Sequence, residues 1–248
     1  MVAFSGLLIW GLKVNGYADQ DSVSAPANAS LVIRHRSVNR PSSHGPVKRR
    51  SRVQRHRYPY VSLNRQMVYK SQLRPVDIPD ACEAGSLQMA LSIKGQARRL
   101  PLWRLVRRIG WYHNATGNGN PEVKYSGDPY YHCGATIYPG LMKRIARRYG
   151  VRSRVVDYAK PHTIIRNLLR RHPIVVEAGH HMEIYTKRGS QSDHVLCLIG
   201  YKKPHRTGYV QYTDPLYRHR FVRWCPFRIF WRAYNRPRIT GDRALIIL

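Results

Sequence analysis

Cys82, His194 and Asp214 are the side chains whose types and positions suit nucleophilic chemistry. Cys82 opens an apolar stretch of helical character, which puts its thiol at the positive end of a helix dipole among the free N–H groups of a first turn. Such a placement lowers a thiol pKa and favours thiolate. His194 starts the run His194-Val195-Leu196-Cys197-Leu198-Ile199-Gly200-Tyr201, and Asp214 closes Tyr209-Val210-Gln211-Tyr212-Thr213-Asp214. If these are adjacent antiparallel strands joined through Gly200 to Gly208, the imidazole lies beside the carboxylate that would orient its tautomer. Thiol, base and orienting acid are the parts needed for acyl transfer through sulfur. The chain has 12 His and four Cys, however, so spacing alone leaves open a core cysteine and a strand-end histidine.

The elements that must hold these groups follow from periodicity and punctuation. Asp80 to Ile93 carries Ala84, Leu87, Met89, Ala90, Leu91 and Ile93 and reads as a mostly buried helix stopped at Gly95. Further helices are expected from Pro101 to Gly110 and from Pro139 to Gly150, with proline in the first turn and glycine at the end. A fourth spans Pro161 to His172. Strands are expected at Arg154 to Tyr158, Ile174 to Ala178, Met182 to Lys187, His194 to Tyr201, Gly208 to Thr213, Arg218 to Val222 and Ala244 to Leu248. Helices first and an antiparallel sheet afterwards indicate an α+β domain. Cys197 reads as a buried small hydrophobe, and Cys133 and Cys225 sit in loop-like stretches. Neither His180-His181 with Glu183 nor the histidines near Cys133 have zinc-ligand spacing, so neither a metal nor another cofactor is expected.

Charge is the other prominent feature. The chain of 248 residues carries 43 Lys plus Arg against 13 Asp plus Glu, a formal net charge of +30. Hydrophobic residues make up 43% and aromatics 10%, enough for an ordinary core, which excludes a disordered basic tail. Residues 1–18 read as a secretory signal: the apolar run Met1 to Leu12, then Gly16 and Ala18 at a cleavage site, without a preceding cation. Residues 19–62 read as a basic disordered linker, and nine Lys or Arg fall between Arg34 and Arg57 with no acid among them. The expected domain is residues 63–248. No nucleic-acid motif is present, so export and spread charge favour an anionic cell wall or membrane surface over specific nucleic-acid recognition.

The segment Ser71-Gln72 through Pro79-Asp80-Ala81-Cys82-Glu83-Ala84-Gly85-Ser86-Leu87-Gln88-Met89-Ala90-Leu91 resembles the nucleophile helix of papain-like cysteine peptidases related to the bacteriocin-processing, double-glycine leader peptidases. The likeness is to their stand-alone secreted branch, common in Gram-positive bacteria. It continues through the Gly119-Asn120-Pro121 to Gly127-Asp128-Pro129 loop, His172-Pro173-Ile174-Val175-Val176, Asp193-His194 to Gly200-Tyr201, and Thr213-Asp214-Pro215. Ala81, where the family usually has glycine, and Gly85, where it has a β-branched or small polar residue, depart from the pattern.

The resemblance implies a papain-like fold in which N-terminal helices pack on an antiparallel β-sheet. It further implies Cys82 as nucleophile, His194 as general base then acid, Asp214 as orienting carboxylate, and Gln72 as an oxyanion donor beside the Cys82 N–H. The expected activity is a secreted or cell-surface thiol hydrolase acting on a peptide or peptidoglycan-peptide bond. The alternative is a catalytically silent protein of the same fold that binds anionic cell-wall polymers.

Overall fold

The computed structural model describes residues 58–73, 75–113, 117–179, 193–234 and 244–248. In chain order the elements are β1 (Tyr60–Ser62), α1 (Cys82–Ile93), α2 (Leu102–Ile109), α3 (Pro139–Arg148), β2 (Ser153–Val156), α4 (Pro161–Leu169), β3 (Ile174–Gly179), β4 (Asp193–Lys202), β5 (Tyr209–Thr213), β6 (Val222–Pro226), α5 (Phe227–Tyr234) and β7 (Ala244–Ile247). The strands form one antiparallel sheet in the order β2-β7-β3-β4-β5-β6, and β1 also pairs with β4. Tyr60–Ser62, at the end of the expected linker, is thus part of the sheet: Val61 lies opposite Tyr201.

Period-two alternation divides the apolar side chains of the central strands between two cores. Val175, Val195, Cys197, Ile199, Leu245 and Ile247 face one layer with residues of α1, α2 and α3. Ile174, Val176, Leu196, Leu198, Ala244 and Ile246 face the other with residues of α4 and α5. The helices therefore cover both faces of the sheet, a more enclosed arrangement than helices on one side. Among the described residues no helix is long and apolar enough to cross a membrane.

Helix α1 is the centre of the first core, with every residue from Cys82 to Ser92 buried. Three of its polar side chains stay inside by bonding to backbone: Ser86 Oγ donates to Val195 O at 2.9 Å, Ser92 Oγ to Met89 O at 2.6 Å, and Gln88 Nε2 to Leu100 O at 2.5 Å. The helix ends as expected at Gly95, whose φ of +83° lets Gln96 N–H reach back to Leu91 O at 3.0 Å.

Two expectations need correction. The last hairpin strand is Val222–Pro226 rather than Arg218 to Val222. Residues 217–221 form a loop, with the Tyr217 ring stacked on Phe221 at 3.8 Å and Arg220 Nη2 donating to Asn64 O and Oδ1, each at 2.6 Å. Pro226 is tolerated in the strand because β6 is an edge. The fourth helix ends at Leu169, because Arg171 turns to a φ of +64°. Helix α5 was not expected at all: the β-prone aromatics of Phe227–Tyr234 are helical because Phe230, Ala233 and Tyr234 share a buried face. The expected strand at Met182 to Lys187 lies outside the described residues.

Candidate active site

Cys82 is the first residue of α1, and the residue is 9% exposed. The helix start is clamped by a loop that the sequence treats only as a motif. Asp80 Oδ2 accepts from Cys133 N–H at 3.1 Å and Ala135 N–H at 2.9 Å, and Asp80 N–H donates to Pro129 O at 3.2 Å. Glu83, in the first turn, is 3% exposed. Its Oε1 accepts from Thr136 Oγ1 at 2.5 Å, and its Oε2 accepts from the Cys82 thiol at 3.4 Å. The phenol ring of Tyr125 is fully buried and belongs to the same core.

These surroundings reverse the expected electrostatics of the thiol. Burial first, and the neighbouring Glu83 carboxylate second, push the Cys82 thiol well above the ordinary range; the Val195 N–H pulls the other way. The helix dipole does not overcome this, because the thiol is desolvated and donates to an acid. Glu83 is itself pushed up to about 7 by burial, against the hydrogen bond from Thr136. The resting site therefore favours thiol over thiolate.

The histidine and carboxylate meet as the sequence suggests. His194 Nε2 lies 2.6 Å from Asp214 Oδ1, with the two side chains 3% and 0% exposed. The β4–β5 pairing that places them sets Cys197 opposite Thr213 and Lys202 opposite Tyr209, with a bulge between Leu198 and Gly200. Asp214 Oδ1 also accepts Leu216 N–H at 2.9 Å, an Asx turn that fixes the carboxylate just beyond its strand. The Tyr69 hydroxyl lies 2.6 Å from Asp214 O and 2.7 Å from Tyr217 O, tying the segment before α1 to the same turn. Since Nε2–H is donated to Asp214, the lone pair of a neutral His194 ring is on Nδ1. Ser86 Oγ, on α1, holds β4 against that helix through Val195 O, one residue beyond His194.

Gln72 is 2% exposed. Its N–H donates to Pro215 O at 2.9 Å, its carbonyl accepts Ile78 N–H at 2.8 Å, and its Nε2 donates to Pro79 O. The residue is fastened both to the turn after Asp214 and to the approach to Cys82. Among the described residues no cluster of three His, Cys, Asp or Glu is arranged to hold a metal, and His180, His181 and Glu183 fall outside them. All four cysteines are free thiols. Trp111 meets Tyr130 edge-on at 5.5 Å and both pack on the first core, whereas Tyr131 is 69% exposed.

Asp80, Glu83 and Thr136 were not picked out from the sequence as site residues. The signal available for the first two was their place two residues before and one after the cysteine; Thr136 had none, since only the folded loop brings it to Glu83.

A cysteine heading a buried helix, packed on an antiparallel sheet that carries a paired His and Asp, fits a papain-like α+β fold. The chain is a member of the Peptidase_C39-like family, whose model matches residues 60–238. The solved structure of a candidate C39-like peptidase from Bacillus anthracis is similar in fold, with a TM-score of 0.58 over 76% of this chain and 97% of that one at 19% identity. No curated protein matches. Membership supports a cysteine peptidase hydrolase.

Proposed function

We propose that the protein hydrolyses peptide or amide bonds through Cys82, His194, Asp214 and Gln72. The observation that carries this reading is the buried 2.6 Å contact between His194 Nε2 and Asp214 Oδ1, on the strand that Ser86 fastens to the Cys82 helix through Val195 O. Nδ1 of His194 takes the thiol proton as sulfur attacks the carbonyl carbon, which draws Cys82 away from Glu83. The oxyanion is met by Cys82 N–H and by the second hydrogen of Gln72 Nε2, the first being held by Pro79 O. Imidazolium then protonates the departing amine and leaves a thioester on Cys82. Water, deprotonated by the same nitrogen, releases the acid and restores the thiol.

The reading extends to export through residues 1–18 and to a peptide or peptidoglycan-peptide substrate. The run of nine cations between Arg34 and Arg57 supports a tether to anionic cell-wall polymers. Specificity for a double-glycine leader is not carried over, because no subsite residue supports it.

The test is digestion of a proteome-derived peptide library and of purified peptidoglycan stem peptides, with new termini read by mass spectrometry. Wild-type protein should generate termini that are absent with Cys82→Ala. Termini that persist in the alanine variant would overturn the assignment.

A further inference from the structure

The outer surface of α2 and α3 is cationic in a way that the chemistry at Cys82 does not use. On α2 the apolar residues Leu102, Leu105 and Val106 are buried, and Trp103, Arg104, Arg107 and Arg108 are exposed. On α3 Leu141, Met142, Ile145 and Ala146 are buried, and Lys143, Arg144, Arg147 and Arg148 are exposed. The helices are neighbours: Arg108 Nη1 donates to the Tyr149 hydroxyl at 3.0 Å, and Leu105, Arg108, Ile109, Ile145, Arg148 and Tyr149 line a cleft of about 290 Å³ between them.

The two helices carry seven exposed cations, of which Arg108 and Arg148 border the cleft between them and Lys143, Arg144 and Arg147 line a second cleft with Glu122 and Asp157. Arg144 has Glu122 at 3.8 Å, and among the described residues no carboxylate pairs with the other six. Arg104 with Arg108, Lys143 with Arg147, and Arg144 with Arg148 stand four residues apart, where like charges weaken a helix. An anionic partner relieves that repulsion. Two features say which kind. Trp103 is 37% exposed, with the guanidinium carbons of Arg104 and Arg107 at 5.3 and 5.9 Å from its ring, and Ile109 and Tyr149 line the cleft beside Arg108 and Arg148. A polyanion without rings, such as polyphosphate, engages the cations but makes no use of an exposed indole. The boundary of a bilayer meets indole, aliphatic surface and guanidinium together.

We propose that the α2–α3 face docks on a bilayer rich in anionic phospholipid, with Trp103 at headgroup depth and the seven cations against lipid phosphates. The docking is independent of hydrolysis, so the Cys82→Ala chain retains it.

Sedimentation of the full chain with vesicles of phosphatidylglycerol and phosphatidylcholine, at several salt concentrations, tests the proposal. Each cation near an anionic surface contributes roughly fivefold to binding. Reversal of Arg104, Arg107 and Arg108 to Glu, or of Lys143, Arg147 and Arg148 to Glu, should therefore weaken vesicle binding at least about tenfold. The corresponding Gln variants, which disturb the fold less, should fall in the same order. Trp103→Ala should weaken vesicle binding severalfold and leave binding to soluble polyphosphate unchanged. Vesicle affinity within twofold of wild type in both the Glu and Gln variants would overturn the proposal, as would loss of binding only when residues 34–57 are deleted. Binding to single-stranded oligonucleotide that is tighter than to vesicles and falls as far in Trp103→Ala would replace the membrane with nucleic acid, whose bases also stack on indole.

Discussion

Gly85, one turn into the nucleophile helix, faces Pro215, the residue after Asp214: a Cβ at position 85 would fall 2.9 Å from Pro215 Cβ and 3.7 Å from Lys70 O. The glycine is there for space. It allows the turn that carries the carboxylate to lie directly on the helix that carries the thiol, which gives a physical reason for this departure from the family pattern.

Gly85→Ala should accordingly be destabilising, although alanine is worth about 1 kcal/mol more than glycine in a helix interior. Overlap with a proline ring cannot be relieved by a side-chain rotation, and overpacking of this kind costs about 1–3 kcal/mol. As Pro215 retreats, Asp214 moves from His194, so hydrolysis should fall by about tenfold or more beyond any loss of folded protein. Thermal denaturation and turnover check both; an alanine variant with unchanged melting temperature and rate would sink the packing account.

Glu83 makes the site pH-sensitive in a direction that can be worked out. Its carboxyl titrates near 7 in the folded chain, against an ordinary value of 4.5, because it is buried. Between those values the folded chain holds a proton that the unfolded chain has released, so stability falls as pH rises through the window. The loss approaches about 3 kcal/mol above pH 7. Glu83→Gln should flatten this slope in urea denaturation between pH 4.5 and 7.5. The same change removes one of the two main causes that raise the Cys82 thiol, so iodoacetamide should alkylate Cys82 faster at neutral pH than in wild type. A pH–labelling profile that does not move would refute the electrostatic role.

Asp214 does two separable things with one oxygen. Oδ1 accepts both Leu216 N–H and the Nε2 hydrogen of His194. Asp214→Asn keeps an oxygen acceptor and should preserve the turn and the tautomer, losing only the charge that stabilises imidazolium. Asp214→Ala removes both bonds and should cost about 1–2 kcal/mol of stability and on the order of 100-fold or more in turnover. The expected order of hydrolysis rates is wild type, then Asn, then Ala; equal rates for Asn and Ala would mean that the acceptor oxygen does not matter.

The parts of this site that were readable from sequence are those set by local pattern. The apolar run after Cys82 predicts α1, Gly95 predicts its end, and the two alternating runs around Gly200 to Gly208 predict a hairpin that brings His194 to Asp214. What escaped depends on contacts distant in sequence. Thr136 reaches Glu83 across 53 residues, and the thiol, raised first by burial and then by Glu83, opposes what the helix dipole alone would do. The strand at Val222–Pro226 was displaced from its expected place because Arg220 is held by Asn64 across 156 residues, which no local propensity reports. Helix α5 was hidden because aromatic residues favour strands until a second core offers a helical face a place to pack.

Gln72 offers the sharpest separation of chemistry from architecture. Its backbone is bonded to Pro215 and Ile78, so Gln72→Ala keeps the chain path while removing the amide that would meet an oxyanion. Hydrolysis passes through a tetrahedral oxyanion, and loss of one donor should lower kcat by about 100–1,000-fold with little change in KM. Alkylation by iodoacetamide is a displacement at carbon that forms no oxyanion, so its rate at Cys82 should stay within about twofold of wild type. Gln72→Glu should be at least as impaired in hydrolysis, because a carboxylate cannot donate either to Pro79 O or to the oxyanion. If alkylation and hydrolysis fall together in Gln72→Ala, the residue acts by holding Cys82 in place and the oxyanion role is lost.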